Sequence, residues 1–270
     1  MSALVEIRGL TVAYPTSVGP FVAVANLDLD IGEGEIVGLA GESGSGKSTV
    51  ALAMMRLLRP PGRVVAGRMQ VGGENPLEFD SRRLAAWRWR TVSMVFQSAM
   101  NALNPVATIF AQFRDVLVCH LGLDRRQARH RAAELLALVG IPEDRLDDYP
   151  HQLSGGMRQR IVLAIALALE PRLVILDEPT TALDVVVQRE ILDQMLDLKA
   201  RLGFSILFIS HDLALLSGFA DRIGVMLDGR LIEIAATADI LASPHHAYTR
   251  KLWQAMPRLA PARKAPPGTR

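Results

Sequence analysis

An α/β fold with a mainly parallel sheet is predicted by three observations. A glycine-rich turn, GESGSGKST at residues 41–49, separates an apolar run (36–40) from a helical-looking segment (50–58). From residue 157 onward, helical and apolar-strand patterns alternate, the pattern of a parallel sheet whose crossovers are helices. Residues 98–156 show helical periodicity alone, which predicts a helical insertion within that alternation. Sheets of this kind bind ligands beyond the carboxyl ends of their strands, where the glycine-rich turn sits.

The elements follow in chain order. Residues 5–13 are rich in β-formers with imperfect alternation, and residues 22–31 end in a cleaner one, Leu27, Leu29 and Ile31 against Asp28 and Asp30. These predict two half-buried antiparallel strands with one wet face. Gly32, Glu33 and Gly34 turn the chain into the apolar strand before the phosphate-type turn, and Pro60, Pro61 and Gly62 are expected to stop the first helix. A further strand (67–71), a loop, the basic-aromatic segment SRRLAAWRWR and a strand (91–96) come next. Arginines on a solvated face over packed tryptophans explain that segment better than a nucleic-acid surface. In the insertion, residues 109–121 and 124–139 read as amphipathic helices, with Arg125, Arg126, Arg129 and Arg131 on the polar side. His120 and His130 lack metal-ligand partners at a convincing spacing and read as surface residues. The alternation then runs helix 157–169, strand 173–176, helix 185–200, strand 205–209 and helix 213–219. Strands 223–227 and 231–234 flank Asp228–Gly229, a hairpin turn.

Composition narrows the classes. With 270 residues, half of them hydrophobic, the chain can bury a sizeable core, and a formal charge of +2 gives no electrostatic argument for nucleic acid or an anionic surface. The single cysteine, Cys119, excludes an internal disulfide framework and a cysteine-rich zinc or iron–sulfur site within the chain and fits a reducing cytosol. No leader pattern opens the chain and no apolar run reaches bilayer length, so any spanning is expected from another subunit.

The turn carries the first chemistry. G-x-x-x-x-G-K-[ST] curls backbone N–H groups around phosphate oxygens at a helix N-terminus. Here that cradle comprises Gly41, Glu42, Ser43, Gly44, Ser45, Gly46, Lys47, Ser48 and Thr49, with Lys47 reaching the outer phosphates and the Ser48 hydroxyl offered to Mg²⁺. LVILDEPT (173–180) is an apolar run ending on Asp177 and Glu178. An acidic pair after a strand can be a simple helix cap; beside a phosphate loop, Asp177 would hold Mg²⁺ and Glu178 would polarise the attacking water. LSGGM (153–157) precedes a helix and offers a second anion site from Ser154, Gly155 and Gly156. The second device need not face its own first; a head-to-tail dimer would use both.

Together, GESGSGKST, Gln97 after a strand, LSGGM, LDEPT, Ala182–Leu183–Asp184 and His211 after another strand resemble the ATP-binding subunits of ABC transporters, in the family's order and spacing. The resemblance covers nearly the whole chain. It implies a P-loop NTPase core with a mainly parallel sheet, an N-terminal antiparallel β-subdomain and an inserted helical subdomain. The divisions it implies are 1–97, 98–156 (ending in the signature), 157–256, and a flexible tail at 257–270. Tyr14 matches the aromatic that stacks on adenine, though a tyrosine in a half-buried strand also accounts for it. Ser48, Gln97 and Asp177 look like the Mg²⁺ and water shell, Glu178 like the general base, and His211 like the switch histidine, or else a helix cap. Ser154, Gly155 and Gly156 resemble the signature that closes on ATP held by a partner subunit, and Asp184 would link the two sites.

A finer match narrows the branch. MVFQSAMNALNPVATI, GGMRQR, DEPTTALD and HAYTRKL are similar to the ATPases of oligopeptide, dipeptide and nickel importers, although Ala247 stands where that branch usually has proline and the chain lacks the C-terminal cysteines and length its members often have. The implied function is ATP-driven uptake of peptides or a related solute, with ATP and Mg²⁺ bound at the cytoplasmic face of the plasma (inner) membrane. The implied partners are a second ATPase subunit, identical or a paralogue, a permease whose coupling helices dock in a cleft at 97–109, and indirectly a solute-binding protein. No nucleic-acid partner is expected. The alternative is an ABC-type ATPase of DNA repair or translation, but coiled-coil insertions, zinc-binding cysteines and a second cassette are all missing from this sequence.

Overall fold

The computed structural model of the protein describes residues 3–96, 102–179 and 184–254. The chain opens with an antiparallel sheet in which β1 (Ala3–Thr16) is central, flanked by β2 (Gly19–Gly32) and β4 (Arg63–Val71). The imperfect alternation of β1 has a structural cause. Its buried residues change parity, Val5 and Ile7 before Leu10 and Val12, because the register with β2 shifts between Ile7 and Leu10. Gly9 takes the left-handed conformation there, φ 62°, and the bulge lets both halves of the strand keep their apolar side chains inward.

The second sheet has the order β5-β6-β7-β3-β8-β9, built from β3 (Ile36–Gly41), β5 (Val92–Val95), β6 (Leu173–Asp177), β7 (Ser205–Ile209), β8 (Arg222–Leu227) and β9 (Arg230–Ala236). All neighbours run parallel except β8 and β9, the expected hairpin across Asp228 and Gly229. The central strands are apolar throughout because their two faces serve different cores. Leu173, Ile175, Leu207 and Ile209 pack toward the antiparallel sheet and α1 (Lys47–Met54). Val174, Leu176, Ile206 and Phe208 pack on the opposite side. That second core also holds apolar residues of α3 (Ile109–Leu121), α4 (Arg125–Leu138), α5 (Gly155–Ala166), α6 (Val185–Leu202) and α7 (Leu213–Ser217). One face is therefore covered largely by a second sheet rather than by helices on both sides.

Two expectations need correction. Helix α1 ends at Met54, not at the prolines, because Arg88 donates to the carbonyls of Met55 and Arg56 and the chain turns at Arg56, φ 49°. The segment SRRLAAWRWR contains a helix, α2 (Ser81–Trp87), capped by Asp80, whose carboxylate accepts the N–H of Arg83. Trp87 is buried edge-on to Phe79, and Arg88 is a structural donor rather than part of a solvated face. Two short helices that periodicity did not reveal, α8 (Thr237–Ala242) and α9 (Ala247–Gln254), follow β9. Two of the arginines on the basic side of α4 are paired: Arg129 meets Asp147 at 2.7 Å, and Arg131 meets Glu134 and Glu170. The tail at 257–270 lies outside the described residues.

Candidate nucleotide site

Strand β3 delivers the chain to the carboxyl edge of the sheet, and the turn at residues 42–46 carries it into α1. Gly46 caps that helix at φ 100°, and a Cβ there would lie 2.5 Å from the carbonyl oxygen of Ala23, so only glycine fits the turn. The N–H groups of the first helical turn face the loop without intrahelical partners, which makes the turn an anion cradle.

Lys47 is buried, and its ammonium donates to the carbonyls of Gly41 (2.8 Å) and Glu42 (2.7 Å) and to Ser45 Oγ (3.2 Å). Burial pushes its pKa below the ordinary lysine value, opposed by the charges of Glu178, Asp177 and Glu42. The hydrogen bonds keep the cation tolerable until an anion offers better compensation. Ser48 Oγ donates to Asp177 Oδ1 at 2.9 Å. Burial raises the Asp177 carboxyl above its usual range, with the neighbouring Glu178 charge adding to the rise and the Ser48 bond and Lys47 opposing it.

Glu178 follows Asp177 at φ 46°, its N–H bonded to the carbonyl of Ile209 at 3.0 Å. A Glu178 carboxylate oxygen stands 3.3 Å from His211 Nδ1. Pro179, next in line, is fixed from below: the buried amide of Gln159, in α5, donates to its carbonyl. The acidic loop and the helix after LSGGM are thereby tied together.

These groups surround one cavity of about 840 Å³. Gly41 through Thr49 line it, except Ser45, which is buried beneath; Tyr14, Glu178 and His211 complete the set brought together from the sequence. Asp177 stands behind Ser48. Ser154, Gly155, Gly156 and Asp184 are not brought there. They line a second cavity of about 460 Å³ that shares no lining residue with the first. Ser154 and Asp184 cap α5 and α6, accepting the N–H groups of Met157 and Val187, so both helix starts open on that second cavity. Gln97 lies outside the described residues, as do Ala182 and Leu183.

Sequence reading missed three wall residues of the first cavity. Phe21, 61% exposed, sits opposite Tyr14 in the β1–β2 register; Ala23 follows it; and Leu252 comes from α9. The antiparallel pairing of residues 5–13 and 22–31, once extended toward Tyr14, was the available signal for Phe21. Leu252 had none, because only the tertiary fold brings α9 to this edge.

The ABC transporter family model matches residues 24–181, and that of the oligopeptide/dipeptide transporter C-terminal region matches residues 232–270. The chain belongs to the ABC transporter family. Among its curated relatives are the dipeptide transport ATP-binding protein DppD of Haemophilus influenzae, 42% identical across 96% of this chain and 79% of that protein, and the peptidoglycan transport ATP-binding protein YejF of Agrobacterium fabrum, 44% identical across 96% of this chain. The chain spans about half of YejF, 48%. Among solved structures, a dimeric ATP-binding cassette, MJ0796, in a post-hydrolysis state with ADP and Pi matches with a TM-score of 0.76 at 28% identity, covering 86% of this chain and 98% of that one. The protein is thus an ABC-type ATPase cassette.

Proposed function

We propose that the chain is the ATP-hydrolysing subunit of an ABC importer, energising uptake of peptides or a related solute through a separate permease. The observation that carries the reading is the division of its phosphate-binding devices. The phosphate loop, Glu178 and His211 surround one cavity, with Asp177 behind Ser48, while Ser154 to Gly156 and Asp184 line another. Two cassettes arranged head to tail bring the second cavity of one onto the first cavity of the other, so ATP is sandwiched and the dimer closes. The ATP-bound partner is a second ATPase subunit, identical or a paralogue.

The triphosphate lies along residues 41–49, with adenine against Tyr14. Lys47 exchanges its loop oxygens for the outer phosphates. The hard oxygens of half-buried Ser48 and buried Asp177 would fit Mg²⁺, and among the described residues no three His, Cys, Asp or Glu side chains gather as a metal cage. Gln97, which lies outside the described residues, would be a further ligand beside phosphate and water oxygens. When bound, Mg²⁺ neutralises charge developing on the β- and γ-oxygens. Glu178 takes a proton from the attacking water as its oxygen bonds to the γ-phosphorus and the bond to the β–γ bridging oxygen breaks, yielding ADP and phosphate. His211, whose Nδ1 lies 3.3 Å from a Glu178 carboxylate oxygen, would contact the γ-phosphate.

No described helix is long and apolar enough to cross a membrane. On this reading the chain sits peripherally, at the cytoplasmic face of the plasma membrane, on a permease. An open groove of about 570 Å³ lined by Pro105, Val106, Asp148 and Tyr149 supports docking of the permease's coupling helices beside 97–109, and Val106 is 82% exposed there. The chain then divides at residues 97, 156 and 256, with 98–156 as the helical part ending in the signature. The relatives' names, among them dipeptide and oligopeptide transport ATP-binding proteins, favour peptide transport over the DNA-repair or translation alternative.

Glu178→Gln tests the chemistry. The variant is expected to bind ATP, to hydrolyse it at least about 100-fold more slowly, and to accumulate a closed, nucleotide-bound dimer. Normal turnover would remove Glu178 as the base. Stimulation of the complete membrane complex by a peptide-loaded binding protein, measured as ATPase rate, tests the transport assignment.

A further inference from the structure

Gln159 is a polar side chain in an apolar wall. It lies on α5, only 4% exposed, and the small cavity it shares with Pro179 is otherwise lined by apolar residues of β5, β6, β7, α5 and α6, among them Leu176, Met195 and Phe208. An apolar side chain would serve packing better at such a place. The amide of Gln159 instead donates to the carbonyl of Pro179. That carbonyl is the one backbone hydrogen-bonding group a proline has, because its nitrogen carries no hydrogen. The residue before Pro179 is Glu178, at φ 46°, in the left-handed region that a residue with a side chain rarely adopts, and the proline ring that follows crowds it further. Such a conformation persists only where the surroundings impose it. Two anchors do so here: the carbonyl of Ile209 in β7 accepts the N–H of Glu178 at 3.0 Å, and Gln159 grips the next residue from the other side. Between them the Glu178 carboxylate is delivered to the wall of the first cavity, 3.3 Å from His211 Nδ1.

We propose that Gln159 is a positioning residue for hydrolysis: by holding the Pro179 carbonyl it fixes the backbone that aims Glu178, so the seating of α5 sets the catalytic base of its own chain. The inference rests on the reading of Glu178 as that base. Gln159 does not line the first cavity, so it acts through the loop and not on the nucleotide. The arm is short. Gln159 stands about one helical turn after Gly155, at the end of α5 that opens on the second cavity. That end is seated against α6: a Cβ on Gly156 would lie 3.2 Å from Val187 Cγ1, and Arg160, beside Gln159, pairs with Glu190 at 3.1 Å. A displacement of α5, when a ligand is gripped by Ser154 to Gly156, therefore reaches Pro179 through a single side chain.

The test compares two variants of nearly equal shape in the assembled ATPase, with kcat counted per ATP-binding site titrated. Gln159→Met fills the apolar wall without a donor. It is expected to keep the KM for ATP and to lower kcat by about 10- to 100-fold, the loss that follows when a reacting group is misplaced. Gln159→Glu can donate to the carbonyl only while its carboxyl is protonated, a form favoured by a cavity lined by no titratable side chain. Its kcat relative to wild type is therefore expected to exceed that of Gln159→Met at about pH 6 and to fall toward it as the pH rises to about 9. A role in stability alone would reduce the number of ATP-binding sites and leave kcat per site unchanged. That outcome in Gln159→Met, or a Gln159→Glu enzyme no faster than Gln159→Met at any pH, would overturn the inference. Should Gln159→Met not fold, the pH dependence of Gln159→Glu decides alone. Normal turnover in Glu178→Gln would instead overturn the reading of the base, so the two failures are distinguishable.

Discussion

Ser48 Oγ donates to Asp177 Oδ1 at 2.9 Å, joining the first turn of α1 to the end of β6. The bond brings together two stretches 129 residues apart, and it sits beside a second desolvated charge, Lys47. Both ionised groups are held where burial disfavours their charge, the condition expected of a site built for a ligand rather than for its own stability.

Asp177→Asn is therefore expected to stabilise the nucleotide-free protein while abolishing Mg²⁺-dependent hydrolysis. The folded-state pKa of Asp177 is raised above its unfolded value, so its favourable contribution is fully present only below about 3.8 and is lost as pH rises through the folded pKa. At neutral pH the carboxylate is a cost that asparagine removes. Thermal unfolding at pH 7 without nucleotide should show a higher midpoint, by about 2–4 °C per kcal/mol relieved, and the gain over wild type should shrink as pH is lowered toward 4. An unchanged midpoint at both pH values would show that the site carries no such strain.

Gly46→Ala is expected to destabilise the protein by about 1–3 kcal/mol from backbone strain, with loss of ATP binding in the fraction that folds. The new methyl must occupy a position 2.5 Å from the Ala23 carbonyl, so the loop cannot keep its curl. Chemical denaturation and ATP titration check the two effects separately. A Cβ added at Gly44 would meet nothing within 4 Å, and Gly44→Ala should be milder despite its own φ of 82°.

Much of this site was legible in the sequence, because each motif carries its local structure with it. A phosphate loop demands a strand before and a helix after, and the runs 173–176 and 205–209 are too apolar to lie anywhere but the centre of a covered sheet. What was not legible depends on distant partners. The early end of α1 is set by Arg88, which lies 33 residues downstream of the Met55 carbonyl it bonds. Helix α2 was masked by the arginines and tryptophans of SRRLAAWRWR, although Asp80 just before it is a capping signal. Leu252 lines the first cavity from α9, but nothing local in HAYTRKL says that this helix reaches that edge of the sheet. The separation of Ser154 and Asp184 from the phosphate loop is likewise a property of the packed chain; the motif alone says only that LSGGM need not face its own phosphate loop, and the reading of it as a device for another subunit's ATP came from the family resemblance.

Ser154→Arg probes that separation most directly. Losing the α5 cap costs about 1 kcal/mol, so the chain should still fold. ATP affinity of the isolated chain and ATP turnover of the assembled transporter are then measured on the same variant. Affinity unchanged from wild type with turnover abolished is the result predicted for a signature that serves the partner's nucleotide. A large loss of ATP affinity in the isolated chain would contradict it, by showing that Ser154 closes on the phosphate loop of its own chain.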